Sequence, residues 1–161
     1  MPRILFVGQE PETVDFSDPA LPPGFSAEKI HAGIAVAMRQ MTERGWQADL
    51  CLVRPDDTAA PAVERQLADK HYDGVVIGGG IRLPPKSLLL FEAVINAVHR
   101  AAPGAFIAFN TRPEDSADAA SRWLKGDERS PVRGEARDRS PAPCLFSLVA
   151  LVLAPFHHPF G

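Results

Sequence analysis

A doubly wound α/β domain, with four parallel strands in the order 2-1-3-4, is the fold class that the sequence predicts, on three observations. Four short apolar runs alternate with four longer segments of helical periodicity, the pattern of βαβ units. The 161 residues, 45% apolar and 23% charged, have a globular composition and enough length for one core. Right-handed crossovers between successive parallel strands make 2-1-3-4 the simplest order.

The run Ile4-Leu5-Phe6-Val7, ending at Gly8, predicts the first strand. A helix is expected from about Ala27 to Arg44, with Ser26 as N-cap and Gly45 just past its end. Its Ile30, Ile34, Met38 and Met41 recur at helical spacing and form one stripe to be buried. Residues 48–53, Ala-Asp-Leu-Cys-Leu-Val, predict the second strand. A helix over about 59–70 carries Val63 and Leu67 on one face, with Pro61 in its first turn, where a missing N–H costs little. Gly-Val-Val-Ile (74–77) predicts the third strand, which empties into Gly78-Gly79-Gly80. A third helix is expected over 85–101, a fourth strand over 105–109 and a last helix over about 112–124. Thr111 and Glu114 are placed to form a capping box there.

This order of elements resembles the flavodoxin-like superfamily, or half of a Rossmann domain, and looks like a bacterial member of it. The resemblance covers residues 1–124 and rests on architecture. It implies a ligand site beyond the carboxyl ends of the strands, where the winding direction reverses between strands one and three.

Charge divides the chain. Of 17 Lys and Arg, 12 fall in the first 124 residues, as do 16 of the 20 Asp and Glu. The remaining charges lie between Lys125 and Arg139, and an uncharged run follows from Cys144 to Phe156. The expected organisation is therefore a domain over 1–124, a charged linker over 125–143 and an apolar tail over 144–161. The 13 residues from Cys144 are too short to span a bilayer as a helix, so no transmembrane segment is expected. Leu145 to Leu153 offers a fifth strand at the open edge; an unpacked or membrane-touching tail, or a non-native extension, is the alternative.

A net charge of −3 gives no field favouring nucleic acid, and none is expected as a partner. Two cysteines, Cys51 and Cys144, make no disulfide framework, and no signal-like segment opens the chain. A reducing, cytoplasmic setting is the expectation. Collagen-like and wholly disordered classes are excluded by composition.

Three loops meet at the predicted switch point. The first, Gln9 to Phe25, is long for such a connection, rich in proline, and carries Glu10, Glu12, Asp15 and Asp18. It reads either as a lid or as a compact loop pinned by Phe16, Leu21 and Phe25. In the second, Gly78, Gly79 and Gly80 can direct N–H groups outward beside Arg82 and Lys86, which suits a phosphate or carboxylate; a tight turn alone would also explain the glycines. Arg82 and Lys86 can instead pair with Glu10 or Glu12. In the third, Asn110 can bind a ligand or hold the loop, and Arg112 can add a second cation. The expected ligand is thus an anionic small molecule held by Gly78, Gly79, Gly80, Arg82, Asn110 and Arg112.

Named chemistries are harder to fit. Gly8-Gln9-Glu10-Pro11-Glu12-Thr13 lacks the Ser/Thr-rich phosphate loop that flavin mononucleotide needs, and its carboxylates would repel a phosphate. No Walker-type or G-x-G-x-x-G fingerprint is present, no aspartate ends the third strand as in a phosphoryl-accepting receiver, and no cysteine follows the first strand. The histidines His31, His71 and His99 read as structural or surface residues, and no metal-ligand spacing is expected. No serine or cysteine nucleophile stands beside a base, which leaves Glu10, as a general base near Arg82, as the catalytic candidate. The competing expectation is a non-catalytic interaction module. Ser87-Leu88-Leu89-Leu90-Phe91 covers more than one helix face, so the helix over 85–101 would dimerise or bind a protein partner.

Overall fold

The computed structural model describes residues 1–19 and 21–124. The linker over 125–143, the tail over 144–161 with its fifth strand, and Cys144 all lie outside the described residues.

Two apolar runs with no polar alternation make the middle of the sheet. β1 (Arg3–Gln9) and β3 (Gly74–Ile77) are buried on both faces, so every residue from Ile4 to Val7 and from Val75 to Ile77 is apolar. β2 (Gln47–Val53) flanks β1 and β4 (Phe106–Phe109) flanks β3, all parallel, in the order β2-β1-β3-β4. Val7 stands opposite both Cys51 and Ile77, and Ile77 opposite Phe109, which aligns the carboxyl ends of all four strands.

Each face of the sheet takes its own pair of helices. Leu5, Val7, Cys51, Val75 and Ile77 pack with α2 (Ala59–Asp69) through Val63 and Leu67. The fourth helix of the chain, over 88–101, joins them through Val94, Ala97 and Val98. Ile4, Phe6, Val76 and Ala108 point the other way. They meet α1 (Ala27–Glu43) through Ile34, Ala37 and Met41, and the helix over 116–124 through Ala117, Ala119 and Ala120. The fold is thus a doubly wound α/β sheet of the expected strand order.

Local signals set the ends of α1. Ser26 Oγ accepts the Lys29 N–H, and Gly45, at φ +77°, takes the left-handed turn that lets the chain leave the helix. Ile34 and Met41 of the predicted stripe are buried, while Ile30 and Met38 pack beside them half-buried.

Three expected elements change at the carboxyl edge. The segment after β3 is no open glycine turn but a short helix, α3 (Gly79–Arg82), whose Leu83 N–H closes onto the Gly79 carbonyl. The helix predicted over 85–101 divides into a 3₁₀ turn (Pro85–Ser87) and α4 (Leu88–Ala101), because Pro84 and Pro85 take no part in an α-helical hydrogen-bond ladder. The last helix likewise splits into a 3₁₀ turn (Pro113–Asp115) and α5 (Ser116–Leu124). There the cap on Thr111 is Asp115 rather than Glu114. Its carboxylate accepts the Thr111 N–H at 3.0 Å and the Thr111 hydroxyl. A 3₁₀ turn brings a different side chain round to the cap than an α-turn does, and Glu114 lies instead over Gly33 of α1.

Candidate functional site

The switch point is formed by the segments that leave β1, β3 and β4. After β3 the chain makes two ladder-like bonds and then turns: Gly78 N–H donates to the Val7 carbonyl at 2.8 Å, and Gly79 N–H donates to Asn110 Oδ1 at 2.7 Å. Asn110 is 1% exposed, and both polar atoms of its side chain are engaged, since Nδ2 donates to Ser116 Oγ at 2.7 Å. Ser116 in turn donates to the Pro113 carbonyl at 2.6 Å. The Asn110 N–H donates to the Ile77 carbonyl, and its own carbonyl accepts from Arg82 Nη2 at 2.9 Å. Asn110 therefore clasps the end of β3, the start of α3, Arg82 and the start of α5. Its side chain thus holds the loop, one of the two roles its sequence position allowed.

Arg82 lies back over the edge strand. Its guanidinium carbon is 5.4 Å from the centre of the Phe109 ring, which also meets Phe91 edge-on at 5.9 Å. Its Nε–H is buried and has no acceptor among the described residues. Arg112 is exposed, and no hydrogen bond or ion pair engages its guanidinium among the described residues.

The three glycines differ in what surrounds them. A Cβ on Gly78 would stand 3.2 Å from the Val7 carbonyl oxygen, and one on Gly79 would stand 2.8 Å from that of Thr111. Gly79 is packed too closely for a side chain, and Gly78 is tightly packed. Gly80 is exposed, and a Cβ there would meet only Gln9 Cβ, at 3.9 Å. Its φ is not in the left-handed region. Neither backbone geometry nor packing requires glycine at position 80, where alanine would favour the helix by about 1 kcal/mol.

The acidic loop is tied down by charge. A 3₁₀ turn (Pro11–Thr13) opens it, with Pro11 buried and Gln9 Nε2 donating to both the carbonyl and the hydroxyl of Thr13. Each carboxylate then faces a basic side chain on another element. Glu10 stands 3.4 Å from Arg54 at the end of β2, and Glu12 stands 2.7 Å from His31 Nε2 on α1. Asp15 and Asp18 lie 3.2 and 3.0 Å from Lys86 Nζ in the turn before α4. Hydrogen bonding to His31 holds the Glu12 carboxyl below its ordinary range. Ser17, and after it Lys86, does the same for Asp15. Asp18 and Asp15 push the Lys86 ammonium above its ordinary value.

The predicted site residues are thus partly brought together. Gly78, Gly79, Asn110 and Arg82 form one connected group, with Gly80 beside Gln9 at its open side. Glu10 is not paired with Arg82. Its N–H extends the β1 ladder to the Val53 carbonyl, so it belongs to the β2 flank while Arg82 is engaged on the β4 flank. Lys86 pairs with Asp15 and Asp18 rather than with Glu10 or Glu12. Cys51 is a buried free thiol whose pKa is pushed up by burial, which makes it a poor nucleophile. His71 and His99 are exposed.

A concavity of about 160 Å³ lies at the opposite, amino edge of the sheet, among Leu67, Lys70, Tyr72, Ala101 and Ala105. Its polar neighbours are engaged with one another. Asp49 accepts from Lys70, Tyr72 and Arg3 at 3.0 to 3.2 Å, and Gln66 donates to the Tyr72 hydroxyl at 3.0 Å. Among the described residues, no helix is long and apolar enough to cross a membrane. No protein-family model matches the chain, and no curated protein matches it in sequence.

Proposed function

We propose that this chain is a flavodoxin-like binding protein that takes a small anionic molecule at the carboxyl edge of its sheet, over Gly80. The observation that carries this reading is the contrast among the glycines. Gly78 and Gly79 are explained by close packing, whereas Gly80 leaves open space beside Gln9 at the point where the winding reverses. A ligand that presses on the backbone there supplies the missing reason for glycine. Arg82, with an unfilled donor, and Arg112, with no protein counter-ion among the described residues, favour a phosphate or carboxylate as its charged part.

Thermal unfolding of the full chain with inorganic phosphate, citrate and adenosine monophosphate tests the reading. A bound anion at ten times its Kd stabilises by about 1.4 kcal/mol, which a melting curve resolves. Gly80→Ala is expected to fold normally and abolish the shift, and Arg82→Ala to weaken it. Absence of any shift across these anions, in a chain that unfolds cooperatively, rejects the proposal.

A second reading rests on a different surface. Leu88 and Leu89, at the start of α4, are 58% and 79% exposed, and Leu83, at the end of α3, is 54% exposed. That apolar patch suits a protein interface, and a homodimer through α4 is its simplest form. Sedimentation of the native chain against Leu89→Lys separates the two readings. A concentration-dependent dimer that the substitution dissolves supports the interface, and a monomer in both excludes the homodimer.

A further inference from the structure

Side chains alternate along β1, so Gln9, its last residue, continues the row of Leu5 and Val7 on one face of the sheet. Leu5 and Val7 are fully buried, and Gln9 is half-buried. An apolar side chain would extend the row; a carboxamide stands there instead, at the point where the winding reverses. Gln9 Cβ lies 3.9 Å from the position that a Cβ on Gly80 would take. Apart from the adjoining chain, no other atom among the described residues comes within 4 Å of that position.

The hydrogen bonds around Gln9 fix which end of its amide is which. The Thr13 hydroxyl donates its one hydrogen to the Glu10 carbonyl at 2.7 Å. Thr13 Oγ1 is therefore left to accept from Gln9 Nε2 at 3.2 Å, and the Thr13 carbonyl accepts from the same nitrogen at 3.2 Å. Both contacts need the NH2 end of the amide, and together they use its two hydrogens. The other end, Oε1, is left as an acceptor that is open to solvent, with no donor among the described residues. A carboxylate at position 9 would offer the same acceptor but repel an anion; the carboxamide accepts without charge.

We infer that Gln9 sets the specificity of the site: the anion taken over Gly80 also carries a hydroxyl, which donates to Gln9 Oε1. The inference rests on the binding reading above and adds the chemical class of the ligand, a hydroxy acid or a phosphorylated alcohol with a free hydroxyl. Oε1 is three bonds from the Cβ that stands beside Gly80, so a molecule resting on that backbone comes within its reach. An anion without the hydroxyl displaces water from Oε1 and returns no hydrogen bond, which lowers its affinity. Thr13 acts only through Gln9 and is a positioning residue.

Titration calorimetry of the full chain with matched pairs of anions tests it. One pair is citrate and tricarballylate, which is citrate without its hydroxyl; the other is adenosine monophosphate and its analogue without ribose hydroxyls. The hydroxyl-bearing member of each pair that binds is expected to bind about three- to tenfold tighter. Gln9→Met keeps the length of the side chain, removes the acceptor, and is expected to bind both members alike. Thr13→Val keeps Gln9 but frees its amide to turn, and is expected to reduce the preference. A purely structural Gln9 would lower the melting temperature on substitution and leave the preference unchanged. Equal affinities in the native chain overturn the inference and leave the anion site in place, as does binding of inorganic phosphate with neither organic pair. A preference that survives in Gln9→Met also overturns it; if that variant does not fold, an undiminished preference in Thr13→Val does so. Absence of binding by all of these anions removes the site and the inference together.

Discussion

Asn110 and Lys86 each join distant segments across the carboxyl edge of the sheet, Asn110 from a buried, neutral position and Lys86 from an exposed, charged one. Asn110 reaches back 31 residues to Gly79 with a hydrogen bond that water and ions cannot reach. Lys86 reaches 71 residues to Asp15 with an ion pair that both can reach. The difference separates a rigid flank from a movable one. On the β3–β4 side, the positions of Gly79, Arg82 and α5 are fixed relative to one another. On the β1 side, the loop after β1 is held to Lys86 by exposed ion pairs that ordinary salt weakens.

Breaking the clasp should have the largest effect. Asn110→Ala strands the Gly79 N–H in a buried position and removes the donor to Ser116 Oγ, at an expected loss of about 2–4 kcal/mol in urea unfolding. Asn110→Asp keeps an acceptor for Gly79 but places a charge in the interior and loses the donor, so it too should destabilise. The loss should not depend on salt. An Asn110→Ala chain with native stability would show that the clasp is incidental.

The glycines sharpen the same contrast at smaller amplitude. Gly79→Ala forces a methyl group against the Thr111 carbonyl oxygen and should destabilise by about 1–3 kcal/mol. Gly80→Ala, one residue on, should instead stabilise the free protein by up to about 1 kcal/mol, since it improves a helical position with open space around it. Opposite signs at adjacent glycines are the signature of a packed wall next to an open site. Equal destabilisation would mean that Gly80 too is a structural glycine.

How far the sequence reveals this arrangement depends on the distance over which each contact is made. The sheet is legible because burial on two faces leaves β1 and β3 as unbroken apolar runs, and because α1 carries its buried stripe at helical spacing. Ser26 and Gly45 are local signals and mark α1 where the structure places it. The glycine loop is misread because glycine alone signals freedom. What turns Gly79 into the first residue of a helix is Asn110, a partner that no local pattern connects to it. The acids of the first loop are visible as charge, and so is Lys86, but their matching is decided by tertiary geometry. Nothing in sequence spacing separates Glu10, which goes to Arg54, from Asp15, which goes to Lys86.

The smallest effect is expected from pH, and at the carboxyl edge it should touch the loop after β1 and not the clasp. The Asp15 and Glu12 carboxyls are held below their ordinary values. Their favourable contribution is therefore complete above the ordinary carboxylate range and is lost as pH falls through the lowered values. Lys86 is held above its ordinary value, so its contribution is complete below the ordinary lysine range and is lost as pH rises through the raised value. The Lys86 bridge should consequently be closed across a broad plateau, from about pH 5 to about pH 10, and loosen on either side. The Asn110 clasp contains no titrating group and should be indifferent over the same range. Carbonyl carbon shifts of the loop after β1, followed by nuclear magnetic resonance from about pH 3 to about pH 11, check this. They should move at both ends of the range while the Gly79 carbonyl stays still. A loop that moves within the plateau, or a Gly79 carbonyl that titrates with it, would show that the two ties are coupled through a common element.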